Sequence, residues 1–120
     1  MKLFLPGVFS LLLLVTLACA KHKPDIASNI PECIKNEIEK NFENSNWAIG
    51  RVEEYRFQFK TVYAFLPDEK IIADAATQIM DSDCQLLCEV GGFGGPGVNL
   101  CNGDNFYQSA TLVRVIWEKR

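Results

Sequence analysis

Four cysteines, Cys33, Cys84, Cys88 and Cys101, follow an apolar leader, and this combination constrains the fold more than any other feature of the chain. Leu3 through Ala20 carry no charge, begin just after the basic Lys2, and end in the small residues Ala18-Cys19-Ala20. That is the pattern of an export signal. Outside the cytoplasm an even number of cysteines implies disulfides, which let about one hundred residues fold around a small core.

Two cleavage sites compete. Val15-Thr16-Leu17-Ala18-Cys19 resembles a bacterial lipobox, in which residues 1–18 leave as a signal peptide and an acylated Cys19 ties the chain to a membrane. The alternative is a secretory cut after Ala20, which removes Cys19 with the leader. An uncleaved membrane helix is disfavoured, because the run only just reaches bilayer length and ends in a cleavage pattern. Both cleavage readings leave the same four cysteines for disulfides, which allow three pairings. If Cys84 and Cys88 share a strand, four residues of rise hold them about 13 Å apart, too far for a bond, so each must pair elsewhere. The expected arrangement is Cys33–Cys84 with Cys88–Cys101; the swapped arrangement is the alternative.

Residues 19–30 have little apolar pattern and read as a tether. The sole histidine, His22, lies in this tether, where a catalytic role is not expected. Pro31 opens an amphipathic helix with Ile34, Ile38 and Phe42 on one face, capped by Ser28 or Asn29 and ended by Asn44-Ser45-Asn46. After Gly50 the period changes to two. Tyr55, Phe57 and Phe59 alternate with Glu54, Arg56 and Gln58, and Thr61 through Leu66 continue in β-forming residues until Pro67. These two runs predict a hairpin around Gln58-Phe59-Lys60. Residues 70–80 read as a short helix or an irregular crossing. Asp81-Ser82-Asp83 turns the chain into a third short strand at Gln85–Cys88, and Thr111 through Trp117 form the strongest strand. The expected fold is a single α+β domain over residues 31–120: one N-terminal helix packed on an antiparallel sheet of three to four strands, stapled by disulfides.

The formal net charge of −3 becomes −4 if residues 1–18 leave, since they contain only Lys2. With no basic cluster, this balance argues against nucleic-acid binding. Gly92, Gly94 and Gly97 make a formal G-x-G-x-x-G, but Val98-Asn99-Leu100 starts no helix and Pro96 removes an amide that a pyrophosphate would need. The glycines instead suit a loop closed at its neck by Cys88 and Cys101, with Phe93 and Val98 as candidate partner contacts. Asp81, Asp83 and Asp104, with Asn102 and Asn105, offer oxygen ligands for calcium. EF-hand spacing fails, because Leu86 and Gly92 stand where glycine and glutamate are needed, and Asp and Asn suit turns equally well. Zinc on the four cysteines would need reduced thiols. Glu53 with Glu54, or Asp81 with Asp83, could supply paired acids, yet neighbours on a strand point to opposite faces. No enzymatic activity and no cofactor are expected.

Pro31-Glu32-Cys33-Ile34 with Ile38-Glu39, Tyr55-x-Phe57, Val62-Tyr63, Asp81-x-x-Cys84-x-x-x-Cys88, Gly91-Gly92, Cys101 and Trp117 together are similar to a family of small bacterial lipoprotein-like domains of unknown function. The similarity spans about residues 31–120 and is most specific from Asp81 to Cys101. Where members of that family often carry another cysteine pair, this chain has Ile72-Ala73; where they carry Gly-Asp-Gly, it has Val98-Asn99-Leu100. The resemblance implies a cell-envelope location and a disulfide-stabilised fold, and brings no activity. The function expected is that of a non-enzymatic envelope lipoprotein, a binding or structural module with a membrane contact through its N-terminal lipid and an envelope protein as partner. An inhibitor of an exported hydrolase is the first alternative, and a calcium-binding envelope domain the second. Soluble secreted or periplasmic protein is the alternative location.

Overall fold

The computed structural model describes residues 22–93 and 97–120. The expected export signal and lipidation site Cys19, together with Gly94, Gly95 and Pro96, lie outside the described residues. Helix α1 (Glu32–Asn41) is followed by strands β1 (Ile49–Phe57), β2 (Lys60–Pro67), β3 (Thr77–Met80), β4 (Leu86–Val90), β5 (Leu100–Cys101) and β6 (Asp104–Asn105), helix α2 (Phe106–Ser109), and strand β7 (Thr111–Glu118). The class is α+β, as expected. The strand count is not: the main sheet has five antiparallel strands in the order β4-β3-β2-β1-β7, and β5 and β6 form a separate ladder.

Residues 70–80 account for one of the additional strands. In place of a helix, a turn at Asp68–Ile72 leads into β3, where Thr77 and Ile79 are buried. Pro31 itself occupies the N-cap of α1, and no side chain caps the helix. Ser28 and Asn29 therefore do not serve as caps. Asn29 instead turns the chain at φ +58 and gives its carbonyl to Arg114. Cys84 is not on a strand either, since it sits in the β3–β4 turn at φ +60 and β4 begins two residues later.

Both faces of the sheet are covered. On one face, Ile34 and Ile38 of α1 pack with Val52, Tyr63, Phe65, Ile116 and Trp117, and Trp47 stacks near Trp117 with centroids 5.2 Å apart. From the segment read as a tether, Ile26, Ala27 and Ile30 join this cluster, and the Ala27 amide donates to the Ile116 carbonyl. On the other face, β5, β6 and α2 lay Phe106 on Tyr55 and Phe57, at 5.1 and 5.2 Å, over Val62, Ala64, Ile79 and Val90. Each cover has its own disulfide. Cys33–Cys84 ties α1 to the β3–β4 turn, and Cys88–Cys101 ties β4 to β5. Covalent cross-links of this kind belong to an oxidising compartment. Among the described residues no helix is long and apolar enough to cross a membrane.

Candidate functional site

The β4–β5 connection carries a largely exposed aromatic on a frame closed by a disulfide and a backbone hydrogen bond. Glycines at 91 and 92 take φ of +80 and +75, which other residues adopt at a cost, and so turn the chain sharply out of β4. The Gly91 amide donates to the Val98 carbonyl at 3.0 Å, and the Cys88–Cys101 bond, with Cα atoms 5.4 Å apart, closes the neck below it. Phe93 emerges 88% exposed, whereas Val98 is half-buried at the neck. Of the two expected contacts, the structure thus presents Phe93 and tucks Val98 in. At Gly92 a Cβ would come within 2.9 Å of the Asp74 carbonyl, so the loop lies against the β2–β3 connection. Between the two runs an open groove of about 400 Å³ lined by Pro67, Glu69, Ala73, Asp74, Ala75 and Gly92. Among the described residues the first α-helix after the glycines is α2, beyond the β5–β6 hairpin.

A hydrogen-bonded pair of turns holds the cover at the opposite end of the sheet from this loop. The β1–β2 turn is Gln58-Phe59 with both φ positive, and the β5–β6 turn is Asn102-Gly103, also both positive. The Gln58 amide donates to the Asn102 carbonyl at 3.0 Å and to Asp104 at 2.7 Å, and the Asn102 amide donates back to Gln58 at 3.0 Å. Asn-Gly is the usual signature of this hairpin turn, so the β5–β6 hairpin was announced in the sequence and was hidden by the glycine run beside it.

The acidic residues do not converge. Asp81 accepts from the Asp83 and Gln85 amides, both at 2.9 Å, and so shapes the β3–β4 turn, while Asp104 is held by Gln58 across the sheet. Among the described residues no three acids, histidines or cysteines are placed to hold a metal. Glu53 and Glu54 take opposite faces. Glu54 pairs with Arg114 at 3.2 Å on the α1 face. Glu53 is 4% exposed on the other face, 3.6 Å from Arg51, and accepts from the Tyr55 hydroxyl at 3.2 Å. Burial first, and then the Glu53 carboxylate, push the Tyr55 hydroxyl up to about 12. His22 stacks on Phe42 at 5.8 Å at the edge of the α1 face, remote in sequence from any acid pair described here.

The family model for a domain of unknown function, DUF6970, matches residues 36–119, which cover all seven strands and most of α1. No curated protein matches the chain, and no solved structure does.

Proposed function

For a chain that belongs to the DUF6970 family, we propose the role of an exported, non-enzymatic binding or structural module of the cell envelope, tied to a membrane through acylated Cys19. The supporting observation is Phe93, almost fully exposed on a loop whose neck is closed by both a disulfide and a backbone hydrogen bond. A large aromatic left in water gains nothing for the fold, and a stapled loop loses little entropy when it docks, so the arrangement suits contact with a partner. Glu53 and Glu54 lie on opposite faces of the sheet, and Asp81 shapes the β3–β4 turn.

The test compares capture from envelope extracts by the wild-type chain, Phe93→Ala and Phe59→Ala. Phe59 is 97% exposed at the opposite end of the sheet and serves as the control. Loss of capture with Phe93→Ala alone, with both disulfides intact by mass, is the expected result. Equal capture by all three chains removes the loop from the account.

A further inference from the structure

The two ends of the five-stranded sheet can be told apart by register. Glu89, Gln78, Phe65, Val52 and Trp117 form one transverse row across all five strands. Beyond that row, at a single end, lie the β4–β5 loop with Phe93, the β2–β3 connection with Ile71 and Ile72, and the C-terminal Lys119 and Arg120. The N-terminal segment runs antiparallel along β7. The Asn29 carbonyl meets Arg114, the Ala27 amide meets Ile116, and Asp25 meets Arg120 at 3.3 Å. Traced backwards from Asn29 to Asp25, the chain therefore runs toward the end of the sheet that carries Phe93.

That route sets a length limit. Six residues join Cys19 to Asp25, a reach of at most about 22 Å, while the eight residues of β7 alone span about 27 Å. An anchor at Cys19 would thus keep the Phe93 end of the sheet nearer the bilayer than the Phe59 end, with the β7 edge closest to the anchor and the β4 edge, which bears the Phe93 loop, across the sheet from it.

The β4–β5 loop at this end has the chemistry of an interfacial contact, and the β2–β3 connection sets Ile71-Ile72-Ala73 between Lys70 and Asp74 beside it. No charged residue occurs between Glu89 and Asp104, and Phe93 is exposed at the start of the loop in that stretch. Ile71 and Ile72 are 41% and 42% exposed, and the close approach of Gly92 to the Asp74 backbone brings their connection against the Phe93 loop. Charge does not carry the contact. Lys119 is engaged by Asp68 at 2.8 Å, Arg120 by Asp25, and Lys70 is flanked by Glu69. We infer that Phe93, Ile71 and Ile72 enter the lipid interface to which Cys19 ties the chain. This rests on the anchored reading above and names the partner of the same loop. Apolar insertion scales with buried area and needs no anionic lipid, so the contact persists on a zwitterionic surface.

The full chain, purified from a bacterial membrane and reconstituted into phosphatidylcholine vesicles, provides the test. Phe93, Ile72 or Phe59 is replaced in turn by photoreactive p-benzoylphenylalanine, and adducts are read by mass after illumination. Lipid adducts at positions 93 and 72, about tenfold above the yield at 59, are expected for side chains seated in the interface. Vesicle-bound chain with acylated Cys19 but no excess of lipid adducts at 93 and 72 overturns the inference and leaves the anchor standing. An adduct at 93 to a second copy of the chain overturns it in favour of self-association. Intact mass showing Cys19 absent or unacylated overturns the anchor itself, and the inference with it.

Discussion

The two faces of the sheet are covered in different ways. The α1 face gathers its core from across the chain, from Ile26 to Trp117, and its disulfide joins residues 51 apart. The opposite face is covered by a nearby stretch of strands too short to stand alone, and its disulfide joins residues 13 apart. A cover of the first kind is inseparable from the fold. A cover of the second kind is held on by Phe106, by the Gln58–Asn102 pair and by one covalent bond, and it can hold a loop outward without burdening the core.

The difference is sharpest in the disulfides. Replacing Cys33 and Cys84 by Ala is expected to cost about 4 kcal/mol in the chain-entropy model, and to lower the unfolding midpoint of the whole domain in denaturant titration. Loss of the shorter link costs about 3 kcal/mol on the same scale. Equal and fully cooperative losses from both pairs would erase the distinction between the faces.

Smaller changes probe single contacts of the second cover. Gln58→Ala removes three hydrogen bonds at an exposed site and is expected to cost about 1 kcal/mol in thermal or denaturant unfolding. Each face also holds a tyrosine near a glutamate: Tyr55 with Glu53 and Tyr63 with Glu54, both shifted upward first by burial. Between pH 10 and about 12 an unfolded chain gives up the Tyr55 proton while the folded one keeps it, so stability falls as pH rises through that window. Tyr55→Phe is expected to flatten this alkaline decline more than Tyr63→Phe does. Phe93→Ala, which touches neither core, should move stability by less than about 0.5 kcal/mol.

Part of each face could be read from the sequence, because Ile34 and Ile38 keep helical spacing on the α1 face and Tyr55 and Phe57 keep strand spacing on the other. The strand β3 could not. With both faces covered, buried residues stop alternating, as in the consecutive run Val62-Tyr63-Ala64-Phe65, and a four-residue strand offers too little pattern to separate from a loop. The involvement of Ile26, Ala27 and Ile30 was equally hidden, since their packing depends on the edge of β7 lying beside them. Phe93 was legible as an exposed aromatic on a glycine loop. Its place at the same end of the sheet as Asp25 and Arg120 was not, because that follows from five strands in register.

The separability of the second cover is the central claim, and amide hydrogen exchange on the Cys88→Ala/Cys101→Ala chain tests it most directly. The account predicts that protection falls in residues 98–110 and is retained in α1, β1 and β2. Uniform loss across all of these segments, or full protection of 98–110 without the bond, would contradict it.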